Sequence, residues 1–128
     1  MNEFTLIDAA ALAYLGDCVI ELEVRRRLIE KGYEKSATLN AEARKFVTAV
    51  AQSKALAKIG DLLNEEENGI TRRARNSSHL NIPKSATPKE YKSATSFEAV
   101  FGYLYMTKDE ERIKYLFETA YSDILSEM

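Results

Sequence analysis

Residues 12 to 22 read LAYLGDCVIEL and place a single aspartate, Asp17, inside an apolar block. Apolar residues recur here at spacings of three and four, which predicts an amphipathic helix. A charge inside such a block costs free energy unless a partner or a cation compensates it. Gly16 destabilises a helix interior relative to alanine, so its position beside the acid indicates the close approach of another backbone or of a ligand. The stripe predicted to face the core is Leu12, Leu15, Val19 and Leu22.

A second acid has the same kind of surroundings further along the chain. Residues 94 to 105 read ATSFEAVFGYLY, with Glu98 among apolar residues and Gly102 one turn later. Helical spacing places Asp17 on a face shared with Glu21, and it places Glu98 on a face shared with Gly102. If the two faces oppose each other, Asp17, Glu21 and Glu98 converge.

Converging acids point to a divalent cation. Like charges at close range raise the pKa of one partner unless a cation lies between them. Carboxylate oxygens suit Mg²⁺ or Mn²⁺, whereas zinc prefers histidine and cysteine. The alternative, in which Asp17 and Glu98 only cap helices or pair with arginines, stays open on the spacing alone.

The remaining sequence predicts an all-α fold. Only five glycines and two prolines occur in 128 residues, and the apolar spacing is helical almost throughout. Capping signatures are expected at Thr5 with Asp8, Asn64 with Glu67, and Thr107 with Glu110. The predicted helices run over 5–31, 36–63 with a bend near Gln52 and Ser53, 64–75, 93–106 and from 107 onward, and residues 76–92 are predicted to form a long loop.

Length and composition predict that residues 1–128 form a single domain, because 45% of the residues are hydrophobic and can supply one core. No stretch approaches the roughly 20 apolar residues of a membrane span. The start, MNEFTLIDAA, lacks the basic residues of a secretory signal, so we expect a cytoplasmic protein without membrane partners. The single cysteine, Cys18, is expected to be a small core residue.

Charge is unevenly distributed although the net charge is only -2. This balance argues against coating nucleic acid by charge alone and leaves local basic patches open. One cluster lies at residues 25–31. A second spans residues 71–92, where a basic loop could follow the shallow minor groove of double-stranded RNA by shape. Its candidate RNA-binding residues are Arg72, Arg73, Arg75, Asn76, His79, Lys84, Lys89 and Lys92. A solvated surface is the alternative for each cluster.

Two motifs resemble those of a known family. LGDCVIELEVRRRL, residues 15 to 28, resembles the signature helix of the ribonuclease III family, and TSFEAVFGYLY resembles its second carboxylate helix. Residues 52–76 and the Thr-Ser-Phe-Glu-Ala core, in a sequence where we expect no double-stranded-RNA-binding domain, resemble the Mini-III branch in particular. The resemblance implies a dimeric, helical endonuclease domain in which Asp17 and Glu98 are the catalytic metal ligands and Glu21 is a candidate for the surrounding shell.

The same resemblance implies a function, and three residues of this chain depart from the family pattern. It implies Mg²⁺-dependent cleavage of double-stranded RNA to 5′-phosphate and 3′-hydroxyl ends, in the maturation of 23S ribosomal RNA precursor by a homodimer, with ribosomal proteins as further candidate partners. Larger family members carry acids where this chain has Ala10, Ala13 and Thr95. A non-catalytic RNA-binding or ribosome-associated module with the same fold is therefore the alternative. A helical nucleotide hydrolase is the third reading.

Overall fold

The computed structural model describes residues 2–77 and 86–128 and is helical in both ranges, without a strand. This confirms the predicted all-α class. A 3-10 helix, Glu3–Leu6, precedes the α-helices, and a second, Gly60–Leu62, lies between the third and fourth. The α-helices in these ranges are α1 Ala9–Glu30, α2 Ser36–Val47, α3 Ala49–Ile59, α4 Glu65–Arg75, α5 Pro88–Met106, α6 Glu110–Ala120 and α7 Ser122–Ser126.

Helix α5 is the central element of the fold. It packs most extensively against α1 and also contacts α3 and α4. From Ala94 to Leu104 every residue except Glu98 is buried, so the helix is enclosed on nearly all sides. Phe97, Val100, Phe101 and Leu104 are among the core residues that this helix contributes.

Two glycines allow α1 and α5 to touch backbone to backbone. A Cβ atom added to Gly16 would lie 1.6 Å from the carbonyl oxygen of Glu98, and one added to Gly102 would lie 1.9 Å from that of Leu12. Real Cβ atoms essentially never come that close, so only glycine fits at either position. The interpretation of Gly16 as a site of close backbone approach is thereby confirmed.

The outward face of α1 differs from the prediction. Leu12 and Val19 are buried as expected, but Leu22 is 63% exposed and Cys18 is exposed, so neither is a core residue. Both lie on a side of α1 that also presents Tyr14 and Ile29 to solvent. Apolar residues occur on two sides of this helix, and the spacing rule alone does not separate them.

Two helix boundaries also differ. The bend expected near Gln52 and Ser53 occurs at Thr48, whose side chain accepts a hydrogen bond from the Ala51 amide and starts α3. Helix α5 begins at Pro88, so residues 88–92 are helical although they were assigned to a loop. The reason is that proline is well suited to the first turn of a helix, where its missing N–H costs nothing. The rest of that predicted loop falls partly on residues 78–85, outside the described residues.

Helix caps explain where several helices begin. The predicted capping box of Asn64 and Glu67 is confirmed at the start of α4. The expected box at Thr5 and Asp8 is wrong, because Asp8 makes no side-chain cap bond. The expected box at Thr107 is wrong as well, since Asp109 caps α6. An unforeseen box, Thr87 with Glu90, caps α5.

No helix within residues 2–77 and 86–128 is long and apolar enough to cross a membrane.

Replacing Gly16 by alanine should destabilise the fold, because its methyl group would overlap the Glu98 carbonyl and push α1 away from α5. We expect the free energy of unfolding, measured in urea, to fall by about 3 kcal/mol or more. Gly69→Ala is the matched control, since nothing lies within 4 Å of an added Cβ in that helix. That control should be neutral or stabilising by up to about 1 kcal/mol. Equal stability of the two variants would contradict the close contact.

Candidate active site

The crossing of α1 and α5 brings two acids together. Asp17 directly follows Gly16, and Glu98 lies one turn before Gly102, so the glycine contact fixes both Cα positions. The two carboxyl groups are within hydrogen-bonding reach of each other. The predicted meeting of two acids distant in sequence is found at this point.

Their surroundings differ and give them different electrostatics. Asp17 is exposed, while Glu98 lies largely within the packed helices. Burial, followed by the charge of Asp17 and a hydrogen bond to it, raises the pKa of Glu98 from 4.5 to about 8, and Gln52 opposes this shift. Burial and the neighbouring acid therefore favour the protonated form of Glu98 in the metal-free protein.

Glu21 does not join this pair. It lies one turn after Asp17 and pairs with Arg25, with Glu21 Oε2 2.7 Å from Arg25 Nη2. In the part of the chain that the structure describes, no group of three or more acidic, histidine or cysteine side chains is arranged to hold a metal. The expected convergence of three acids is wrong, and the structure brings together Asp17 and Glu98 only.

The positions where larger family members carry acids are occupied by packing residues. Ala13 is 6% exposed and Thr95 is 6% exposed, both within the helix core. The Thr95 hydroxyl donates to the Tyr91 carbonyl at 3.0 Å. Helices α1 and α5 thus contribute two carboxylates as candidate metal ligands. The remaining ligands of a bound cation would be water or substrate oxygens.

Gln52 is a neighbour of Glu98 that the sequence did not single out. Its side chain is 2% exposed, and it affects Glu98 from α3. Its Nε2 nonetheless lacks a hydrogen bond of acceptable geometry. The signal available in the sequence is the spacing of Gln52, which places it on one helix face with the apolar residues Ala55 and Ile59. That spacing indicates a buried polar side chain.

Among the predicted RNA-binding residues, those of α4 divide into two groups. Arg73 donates to the carbonyls of Ile7 and Thr5, the former at 3.0 Å, and so fixes the N-terminal segment to α4. Arg72 and Arg75 are exposed and form no ion pair with another described residue. Asn76 is the exposed C-cap residue of the same helix.

The other predicted RNA-binding residues lie beyond α4. Lys89 and Lys92 are exposed on the first turns of α5 and belong to a helix rather than to a loop. His79 and Lys84 lie outside the described residues. The positive side chains that are described thus flank residues 78–85 on both sides.

The arginines of α1 form a contrasting cluster. Arg25 pairs with Glu21, Arg26 with Glu23 and Glu30, and Arg27 with Glu23 and Glu118. Most of these pairs join residues three or four positions apart on the same helix, the usual spacing for such contacts. For this cluster the structure favours the solvated, internally neutralised surface over a contact with nucleic acid.

Comparison with known families assigns this arrangement. The family model described as Ribonuclease III domain matches residues 10–109, which include both acids and both glycines of the crossing. The chain belongs to the ribonuclease III family.

Individual members of the ribonuclease III family resemble this chain over most of its length. The Mini-ribonuclease 3 of Symbiobacterium thermophilum is 42% identical over 109 residues, covering 85% of this chain and 84% of that protein. A Mini-ribonuclease 3-like protein of Ilyobacter polytropus is 42% identical over 125 residues, covering 96% and 98%. An X-ray crystal structure of a Fusobacterium nucleatum protein superposes with a TM-score of 0.83 at 37% identity, covering 96% of each chain.

The raised pKa of Glu98 predicts a pH-dependent stability for the metal-free protein. The folded state binds the Glu98 proton more tightly than the unfolded state, so its stabilising effect is full below about pH 4.5 and is lost as pH rises through about 8. We expect wild type to lose on the order of 4 kcal/mol more than Glu98→Gln between pH 4.5 and 8.5. Urea unfolding in EDTA measures this difference, and parallel profiles for the two proteins would contradict the shift.

Proposed function

We propose that this chain is a magnesium-dependent endoribonuclease that cleaves double-stranded RNA as a homodimer. The observation that carries the proposal is the carboxyl pair of Asp17 and Glu98, held by a glycine contact inside a ribonuclease III domain. An acid whose pKa is raised by burial and by a neighbouring carboxyl group is a recurrent feature of functional sites.

The donor set fits a divalent cation. Both candidate ligands are carboxylates, which suit Mg²⁺ and allow Mn²⁺ to substitute. Such an ion, when bound, lowers the pKa of a coordinated water and offsets charge on the phosphate oxygens. Asp17 and Glu98 would hold the ion, with Asp17 on the solvent side, where an RNA strand can reach it. We expect the products to carry 5′-phosphate and 3′-hydroxyl ends.

Contact with the RNA backbone is assigned to basic residues on either side of residues 78–85. Arg72 and Arg75 at the end of α4, with Lys89 and Lys92 at the start of α5, are exposed. In a chain of net charge -2 such a local cluster is the means of attracting phosphate. Asn76, His79 and Lys84 are proposed to contribute from the segment between them.

A symmetric dimer would supply a second site for the opposite strand. Helix α1 presents an apolar stripe that suits such an interface, with Tyr14 84%, Leu22 63% and Ile29 63% exposed. Phe97 and Phe101 are fully buried within the protomer and cannot take part in such an interface. A wild-type enzyme that sediments as a monomer at assay concentrations would contradict this arrangement.

The substrate is proposed to be base-paired ends of 23S ribosomal RNA precursor in the cytoplasm, with ribosomal proteins as candidate partners. Support for this assignment is the resemblance to the Mini-III branch and the relatives bearing that name. Faster cleavage of a precursor-derived duplex than of an unrelated duplex of equal length would support it, and equal rates would contradict it.

A non-catalytic RNA-binding or ribosome-associated role is the second candidate. The observation in its favour is the replacement of acids by Ala10, Ala13 and Thr95, which leaves two carboxylates at the crossing. A protein of this kind binds duplex RNA and leaves it intact at any Mg²⁺ concentration.

Removing either acid should abolish cleavage. We expect kcat on long duplex RNA in Mg²⁺ to fall more than about 100-fold in Asp17→Asn and Glu98→Gln, because each loses a proposed metal ligand. Glu21→Gln is the matched control. Because Glu21 pairs with Arg25, we expect this substitution to change the rate by only a few-fold. A gel assay with and without Mg²⁺ measures these rates. Intact duplex with wild-type protein would favour the non-catalytic alternative.

Removing the unpaired arginines of α4 should weaken RNA binding through its salt dependence. For Arg72→Ala with Arg75→Ala we expect the slope of log K against log salt to decrease in magnitude by about 1 to 2, because fewer counterions are released. Arg25→Ala with Arg26→Ala is the control, since those side chains already pair with acids. Fluorescence anisotropy of a labelled duplex in EDTA measures both slopes. Identical slopes for the two double variants would exclude the assignment.

A further inference from the structure

Gln52 is a polar side chain on the buried face of α3. Its exposed fraction is 2%, and it shares this face with Ala55 and Ile59 at spacings of three and four. Within residues 2–77 and 86–128, its Nε2 is the buried side-chain nitrogen or oxygen that lacks a hydrogen-bond partner. An unpaired buried amide costs free energy that an apolar side chain would avoid, so its presence calls for an explanation.

The polar group beside this amide is Glu98. Helix α3 packs along α5, and this packing places the Gln52 side chain next to the Glu98 carboxyl group. Tyr121 is also near Glu98, but its hydroxyl already donates to the Phe46 carbonyl at 2.7 Å. Of these neighbours, Gln52 is therefore the one with N–H groups left to donate to Glu98.

We propose that Gln52 is a positioning residue, whose Nε2 donates to the Glu98 carboxylate and holds it facing Asp17 when a divalent cation binds. The inference rests on the proposed function, because it concerns the same pair of acids. A glutamate has several rotatable bonds, and a fixed donor reduces the conformational entropy that it loses on binding an ion. Groups that orient a metal-binding side chain in this way raise metal affinity without touching the metal.

Gln52→Met separates hydrogen bonding from packing, because methionine keeps the length of the side chain and lacks the N–H groups. We expect the Kd for Mn²⁺, measured by calorimetry on the dimer without RNA, to rise about tenfold. At limiting Mg²⁺, kcat on duplex RNA should fall by a similar factor while KM for RNA is unchanged. The Tm should stay equal or rise, since an unpaired buried amide is removed.

Ser96→Ala is the matched control for the loss of a buried polar group. Ser96 lies two residues before Glu98, and its hydroxyl oxygen is 2.9 Å from the carbonyl oxygens of both Thr71 and Lys92, which share its single O–H donor. This variant should lower Tm and leave the Mn²⁺ affinity within about twofold of wild type, because its bonds serve the backbone. Gln52→Leu provides a second apolar variant if Gln52→Met does not fold.

The possible failures are distinguishable. If Gln52→Met binds Mn²⁺ and cleaves RNA as wild type does, while Asp17→Asn and Glu98→Gln have lost both properties, the role of Gln52 is overturned and the proposed function stands. A lower Tm with unchanged Mn²⁺ affinity likewise overturns it, in favour of a purely structural role. If wild type neither binds Mn²⁺ nor cleaves duplex RNA, the proposed function fails and the role of Gln52 fails with it.

Discussion

The absence of two Cβ atoms sets the distance between the helices that carry the acidic pair. With Gly16 against the Glu98 carbonyl and Gly102 against that of Leu12, the α1 and α5 backbones are in direct contact. The short side chain of Asp17 can therefore reach the longer one of Glu98. Because α5 is enclosed by α1, α3 and α4, this contact also determines how the rest of the core is arranged.

The two acids are kept close at an electrostatic cost that the fold offsets through packing. The apolar surroundings and Asp17 both disfavour the ionised form of Glu98. One turn further along α1 the charges are balanced within the helix, as in the pair of Arg25 and Glu21. The fold therefore combines an acidic pair held by packing with exposed basic residues at the end of α4 and the start of α5.

Sequence was informative wherever a residue is locally unfavourable. A glycine or an acid inside an apolar helix stands out, and Gly16, Asp17 and Glu98 were identified in this way. Sequence was less informative where two environments produce the same pattern. Cys18 has apolar neighbours along α1 yet faces solvent, because that helix is apolar on two sides. The spacing of Gln52 places it on the buried face of α3, but it does not reveal the neighbouring Glu98, which belongs to a helix distant in sequence.

Local hydrogen bonds satisfy backbone groups at the C-terminal end of α4 and at the N-terminal end of α5. At the end of α4 the Asn76 amide donates to the Arg72 carbonyl at 3.1 Å, and α5 starts with the reciprocal bonds of Thr87 and Glu90. Backbone groups at both helix ends are thus satisfied within the helices themselves. The side chains of Arg75 and Lys89 therefore extend from backbone that is already ordered, so a phosphate contact at these positions would cost little backbone entropy.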